Sequence, residues 1–206
     1  MSVERLIHSR LGVEFWAGRV PSIETVRPAR CGVCGAASQC PGQPLTVVGH
    51  GVRERQQRGP SEVGAAPGEV TLLQRRFRCR SCGAVMVVAP AQVLRYRLFS
   101  AGAIVWALSL FGCDGLSPRR VRVRVSPWRV VGAAAARGWQ ALRGWVRAAE
   151  AGQLLPLRAV AAGSPRQVAA RAIWALTAQA PPSARDGSTA HQAISGALHA
   201  LMGITP

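Results

Sequence analysis

Lysine is absent from the 206-residue chain, which also contains only two aspartates and one tyrosine. The longest apolar run, residues 101–111, falls short of the roughly 20 residues that a membrane helix needs. The N-terminal residues lack the apolar core of a signal peptide. With 49% hydrophobic residues, the chain is too apolar for a disordered basic tail. These absences predict a folded cytoplasmic protein with no membrane span.

Arginine supplies all 26 basic residues, against nine acidic ones, and the formal net charge is +17. Codon usage in a GC-rich genome accounts for the missing lysine, but such a genome would supply acidic residues just as easily. Two central segments carry most of the charge: residues 53–97 have nine Arg and three Glu, and residues 119–147 have eight Arg and no acid. Because such a charge attracts polyanions, we expect double-stranded DNA as a partner and association with the nucleoid.

Six cysteines include two copies of the motif C-x-x-C-G, at residues 31–35 and 79–83. Two intervening residues allow a tight turn that brings both thiolates to one side of a metal. Two disulfides are disfavoured because nothing indicates export, and a redox C-x-x-C does not explain the second copy. We therefore expect one structural Zn²⁺ with no open coordination position, since four thiolates close the tetrahedron. Its predicted ligands are Cys31, Cys34, Cys79 and Cys82.

The segments beside these motifs are β-rich and predict the strands of a zinc ribbon, at residues 45–48, 70–73 and 85–88. A turn-rich loop over residues 58–68 joins two of them. Arg53, Arg55 and Arg75 would share a face if the strands pair antiparallel, which predicts a cationic surface beside the metal. The alternative is that these charges protect an edge strand against aggregation.

Helical patterns begin after Pro90. Ser100 is the expected N-cap of a core helix over residues 101–111, which Gly112 ends. Ser117 and Pro118 are expected to begin a shorter helix, as in many helix-turn-helix motifs. On propensity alone, the alternating Val and Arg of residues 121–125 would favour a strand instead.

An amphipathic helix is predicted over residues 133–150, with Trp139, Leu142, Trp145 and Val146 forming its apolar stripe. Arg143 and Arg147 lie on the other face, where guanidinium groups could reach phosphates and guanine acceptors. An ordinary solvated face is the alternative. The full set of predicted DNA-contacting residues is Arg53, Arg55, Arg75, Arg76, Arg78, Arg119, Arg120, Arg122, Arg124, Arg143 and Arg147.

The expected fold class is α+β, with a small N-terminal zinc ribbon followed by an all-α, helix-turn-helix-like region. The predicted divisions are an N-terminal extension over 1–27, the ribbon over 28–92, the helix-turn-helix-like domain over 93–152 and a C-terminal helical region over 153–206. Two further helices, near residues 164–176 and 189–202, are expected in that last region. Packing or formation of a homodimer is the role they suggest.

The cysteine spacing, together with R-R-F-R-C-R-S-C at residues 75–82, resembles a bacterial family of uncharacterised zinc-ribbon and helix-turn-helix proteins. Further likenesses are S-P-W at residues 126–128 and W-Q-A-L-R-G-W at residues 139–145. That family is similar to the N-terminal DNA-binding region of insertion-sequence transposases. The resemblance covers roughly residues 28–150 and implies DNA binding, with the ribbon cysteines as zinc ligands. The resemblance also allows a transposase or another protein as a binding partner.

Carboxylates are scarce after residue 83, where only Asp114, Glu150 and Asp186 occur. Two-metal strand transfer needs three converging carboxylates, so we expect no catalysis. The expected function is that of a non-catalytic zinc-containing DNA-binding protein, transposase-like or an accessory or regulatory factor of a mobile element. The alternative is a zinc-ribbon protein-protein interaction module, or a degenerate transposase fragment, without specific DNA binding.

Overall fold

A computed structural model describes residues 4–132 and 138–203. The chain forms two compact units. The first consists of the described residues up to Gln57 together with Val70–Arg95, and the second of Arg58–Glu69 together with the described residues from Tyr96 onward.

The first unit is built around a four-stranded mixed sheet with the strand order β1-β4-β3-β2. Its strands are β1 (Glu4–Ser9), β2 (Val47–Arg58), β3 (Glu69–Cys79) and β4 (Val85–Pro90). β4 runs parallel to β1, with Glu4 opposite Val85, and antiparallel to β3, with Arg75 opposite Val88. Every residue of β4 is buried, which suits its continuous apolar sequence and its position between two other strands.

The predicted arrangement of a small N-terminal zinc ribbon followed by an all-α region is wrong. The strands between residues 47 and 90 lie in the middle of the chain, and their sheet extends to β1 near the N-terminus. Without β1, one edge of the buried strand β4 would leave backbone N–H and C=O groups unpaired. The segment that follows β1 also joins this core, because Trp16 is fully buried and its carbonyl accepts a hydrogen bond from Leu73 N–H at 3.1 Å. The protein is α+β with a mixed sheet.

The helices of the described residues are α1 (Ile23–Val26), α2 (Ala101–Gly112), α3 (Pro118–Val125), α4 (Gln140–Glu150), α5 (Pro165–Thr177) and α6 (Thr189–Leu201). Within the second unit, α2 is buried from Ala101 to Phe111 and contacts each of α3, α4, α5 and α6. Its predicted cap is confirmed, since the Ser100 hydroxyl accepts a hydrogen bond from Ala103 N–H. Such a helix, apolar all round, is expected only in the interior.

The segment with alternating Val and Arg is a helix, as predicted, and not a strand. The Ser117 hydroxyl accepts a hydrogen bond from Arg120 N–H, and Pro118 occupies the first helical position. Val121 and Val125, one helical turn apart, are fully buried, whereas Val123 is 72% exposed. The burial of one face therefore overrides the strand propensity of the valines.

The predicted amphipathic helix is confirmed over Gln140–Glu150, and residues 133–137 of the prediction lie outside the described residues. The whole predicted stripe is buried. Trp139, Trp145 and Phe99 form an edge-to-face cluster with ring centroids 5.0–5.7 Å apart. The last two helices are also confirmed: Ser164 forms a capping box at the start of α5, and Ser188 caps α6. No helix within the two described ranges is long and apolar enough to cross a membrane.

The close approach of α5 and α6 at Gly196 gives a test of this packing. A Cβ atom at Gly196 would overlap the backbone carbonyl of Leu176, so Gly196→Ala is expected to lower the free energy of unfolding by about 1–3 kcal/mol. Gly144 in α4 is the control, because nothing lies within 4 Å of a Cβ there and Gly144→Ala should stabilise its helix by up to about 1 kcal/mol. Chemical denaturation of the full chain measures both values. Equal stability of Gly196→Ala and the wild type would contradict the packing.

Candidate metal centre

The four cysteines of the two C-x-x-C-G motifs converge in the first unit, with their sulfur atoms all within 4.8 Å of one another. Cys31 Sγ lies 3.8 Å from Cys82 Sγ, and Cys34 Sγ lies 3.8 Å from Cys79 Sγ. A tetrahedron with metal–sulfur bonds of about 2.3 Å has edges of about 3.8 Å. The grouping predicted from the spacing is thus confirmed, and the cluster could hold one metal ion.

Both cysteine turns have the same backbone geometry. In each, the N–H of the first cysteine donates to the carbonyl five residues later, at 2.8 and 2.9 Å. The N–H of the glycine donates back to the carbonyl of the first cysteine, at 3.0 and 2.9 Å. Gly35 and Gly83 have φ values of +74° and +72°, a left-handed conformation that a Cβ would disfavour. The fifth residue of the motif is therefore needed for the turn that presents the thiols.

Each turn contributes one buried and one exposed cysteine. Cys31 and Cys79 belong to the same hydrophobic core as Phe77, whereas Cys34 and Cys82 are exposed. The second turn is positioned by the sheet itself, because Cys79 ends β3 and the turn leads into β4. The first turn follows α1 and contacts the sheet through Gly32 N–H, which lies 3.3 Å from the sulfur of Met86. The site therefore joins a loop to the sheet.

The surroundings of the cluster shift the pKa values of two of its thiols in opposite directions. Burial acts to raise the pKa of Cys79, but hydrogen bonds from the backbone N–H groups of Cys82 and Ser81 lower that pKa to about 6. The N–H of Ala84 acts to lower the pKa of Cys82, but burial and the three neighbouring sulfurs raise it to about 12. One thiolate therefore forms readily and disfavours the next. Four thiolates at these distances require positive charge among them.

Three arginines of the first unit that were predicted to form a cationic surface donate hydrogen bonds to other residues of that unit. Arg53 donates to both carboxylate oxygens of Glu4, at 2.9 and 3.0 Å. Arg55 and Arg75 donate to backbone carbonyls at 2.6 and 2.7 Å. Burial and then the charge of Arg53 lower the pKa of Arg55. The predicted DNA contacts of these three residues stay predictions, and the bonds give each of them a structural role.

The remaining arginines predicted on the strands differ in exposure. Arg78 is exposed, whereas Arg76 is half-buried and its Nε has no hydrogen-bond partner among the described residues.

The arginines of α3 have a different environment. Arg119, Arg120 and Arg124 are exposed and Arg122 is half-buried. The ion pairs among the described residues involve Arg27, Arg53 and Arg58, and none involves α3. At 3.6 residues per turn, exposed Val123 lies at the centre of the solvent face and the four arginines surround it. We call this surface, residues 119–124 without buried Val121, the α3 arginine face.

Arg143 and Arg147 are exposed on α4, as the amphipathic pattern predicted. They border a groove that also contains Glu150 and the start of α5. An acidic residue is thus close to this pair, unlike the α3 arginine face.

Sequence reasoning missed two residues that contribute to these arginine surfaces. Glu4 neutralises Arg53 from a strand that the sequence pattern did not reveal. Trp128 was noted only as part of a motif, yet the residue is 54% exposed and lies beside α3. The guanidinium of Arg58 lies over its ring, 5.5 Å from the ring centroid. A tryptophan directly after an arginine-rich helix was the available signal.

No family model, curated protein or solved structure matches the chain.

Replacing one cysteine tests the metal centre. Cys79→Ser removes a buried ligand, so the purified variant is expected to lose its metal and most of the stability of the first unit, because binding and folding of such sites are coupled. Elemental analysis of the purified protein gives the metal-to-protein ratio and identifies the metal. Cys40→Ser is the matched control, since Cys40 lies in the same unit outside the cluster. A full complement of metal in Cys79→Ser would refute the site.

Proposed function

We propose that this protein is a non-catalytic DNA-binding protein in which a structural Zn²⁺ orders the first unit and the arginine-rich helices of the second contact the duplex. The observation that carries the proposal is the α3 arginine face, which has four guanidinium groups and no ion pair with a described carboxylate. Such a surface is the electrostatic pattern expected of a protein that binds phosphates.

Zinc is the metal that we propose for the cysteine cluster. Tetrahedral sets of four thiolates favour Zn²⁺ or iron–sulfur clusters among the common metals. The two matched turns and the two sulfur–sulfur distances of 3.8 Å suit a single ion. With four protein ligands there would be no open position for water, so the ion would stabilise structure and perform no hydrolysis.

The α3 arginine face supports a role in contact with duplex DNA. Its charged groups project from a short helix whose other face is anchored by Val121 and Val125. Arginine donates to phosphates and to the O6 and N7 atoms of guanine, and the exposed methyl groups of Val123 could contact thymine. Arg143 and Arg147 on α4 would add further phosphate contacts.

The biological role that we propose is that of a transposase-like protein, as an accessory or regulatory factor of a mobile element. This part rests on the resemblance of residues 28–150 to the DNA-binding region of insertion-sequence transposases. Asp114 follows α2, Glu150 ends α4 and Asp186 lies in the turn before α6. Carboxylates at such separate positions support a binding role over strand transfer.

A protein-interaction module is the second candidate. The observation that favours it is Trp174 on α5, which is 59% exposed. Large exposed aromatic side chains are enriched at protein interfaces. A homodimer, a transposase or another protein could be the partner, and the Arg excess would then be compositional.

The salt dependence of DNA binding tests the proposal. We expect a fluorescent random-sequence duplex to bind with an affinity whose logarithm falls by about 0.9 per log unit of salt for each neutralised phosphate. The double variant Arg120→Ala, Arg124→Ala should bind more weakly and show a shallower slope. Fluorescence anisotropy over a salt series measures both quantities.

The matched control is the double variant Arg158→Ala, Arg185→Ala, which removes the same charge from exposed positions outside α3. It should keep most of the affinity and slope. Equal losses in the two double variants would indicate that only net charge matters. No binding by the wild-type protein at low salt would favour the interaction module.

A single variant tests the contribution of α4. Arg143→Ala is expected to weaken DNA binding and to leave the melting temperature close to that of the wild type, because the side chain is exposed. Calorimetry and the same anisotropy assay provide the two values. A large fall in melting temperature would show that this face is structural.

A further inference from the structure

A cavity of about 480 Å³ in the second unit lies beside α3. Its lining includes Arg119, Arg122 and Arg129 and the rings of Trp128 and Trp139, and none of the described residues that line it is acidic. Its volume falls in the range of about 300–1,000 Å³ that is typical of small-ligand sites. The cavity therefore combines cationic and aromatic surface, the chemistry that recognises an aromatic anion.

Trp128 contacts a cationic side chain although more than half of the residue is exposed. The guanidinium of Arg58 lies over its ring at 5.5 Å from the centroid. Arg58 is itself fixed, because its Nε donates to Glu69 Oε2 at 2.8 Å. A cation–π contact of this kind orients the indole without covering it fully. The ring is thus a preformed stacking platform at the cavity.

Arg122 supplies a second observation, because it is half-buried and lines the cavity together with Arg119 and Arg129. The ion pairs among the described residues involve none of these three arginines. An anionic oxygen in the cavity would therefore lie among three cationic side chains that no described carboxylate neutralises. Phosphate is well suited to this, because guanidinium binds it through paired hydrogen bonds.

We propose that this cavity binds a single unpaired nucleotide, with its base stacked on Trp128 and its phosphate held by Arg122 and Arg119. The inference rests on the proposed DNA binding. The preferred ligand of the protein would be DNA with a bulged, frayed or single-stranded nucleotide beside a duplex. A paired base cannot enter, because its faces are covered by neighbouring bases and its edge by its partner. Arg119 also belongs to the α3 arginine face, so a duplex on that face would lie next to the cavity.

An acidic peptide with an aromatic residue would share part of this chemistry. The nucleotide is favoured because the cavity adjoins the α3 arginine face, where we place the phosphates of the duplex. The peptide is therefore treated as an outcome of the test.

The test compares two fluorescent duplexes of identical sequence, one fully paired and one with a single bulged thymidine. The wild-type protein is expected to bind the bulged duplex roughly 10-fold more tightly, as base stacking on an aromatic side chain would allow. Trp128→Ala should bind both duplexes with the affinity that the wild type has for the paired one. Trp128→Phe, which keeps an aromatic ring, should restore part of the preference.

Trp174→Ala is the matched control, since Trp174 is a tryptophan of similar exposure on α5 of the same unit. It should keep the preference for the bulge. Equal binding of both duplexes by the wild type would overturn the nucleotide site and leave the proposed DNA binding intact. Failure to bind either duplex would overturn both. The same loss of preference in Trp174→Ala would also refute the assignment to this cavity.

Photocrosslinking locates the unpaired base directly. With 5-iodouracil at the bulged position, irradiation should give a crosslink that mass spectrometry assigns to Trp128. A crosslink elsewhere would contradict the proposal. Displacement of the bulged duplex by a peptide of glutamate and tyrosine, without displacement by thymidine oligonucleotides, would assign the cavity to a protein partner instead.

Discussion

The convergence of four cysteines from two separate turns is the constraint on which the first unit depends. Their sulfur atoms lie within 4.8 Å of one another, a spacing at which four thiolates would repel one another unless a cation lay between them. Cys31 and Cys79 are also members of the hydrophobic core. The metal and the core would therefore stabilise each other: the sheet brings the two turns together, and the ion would hold the loop that carries Cys31 against the sheet. In a unit of this size, such a link adds stability that a small core supplies poorly.

Arginine has two roles in this protein, and the groups around each arginine determine which role it has. Three arginines on the sheet strands, Arg53, Arg55 and Arg75, donate to Glu4 or to backbone carbonyls and so stabilise the fold. The arginines of α3 surround an exposed valine and have no carboxylate among the described residues that could neutralise them. Net charge alone does not distinguish the two groups. The distribution of acceptors does, and it narrows the proposed nucleic-acid surface to the helical unit.

Features encoded over a few residues were predictable, and features that depend on distant pairing were not. The helix caps at Ser100 and Ser117 follow from local sequence and were correct. The grouping of the cysteines is an exception among the distant pairings, because two matched C-x-x-C-G motifs predict a shared metal although they lie far apart in the chain. For the segment that contains Val121 and Val125, residue propensity favoured a strand and the Ser-Pro cap favoured a helix. It is a helix, whose two buried valines lie on the face toward the core. β1 has a short, weakly patterned sequence and is a strand because β4 needs a partner on its free edge. The ion pair between Arg53 and Glu4 depends on that pairing, so it could not be predicted from the sequence either.

The parallel pairing of β1 with β4 has a consequence for synthesis on the ribosome. Glu4 emerges before β2 and β3, whereas its partner Val85 follows only after both of these strands. At about 5–20 residues per second, the nascent chain would wait on the order of seconds to tens of seconds before its sheet could close. During that interval Cys31 and Cys34 would be accessible to solvent, and a metal ion would find only two of the four cysteines. The order of translation thus makes the second cysteine turn complete the set of four cysteines, and the strand β4 that follows it complete the sheet.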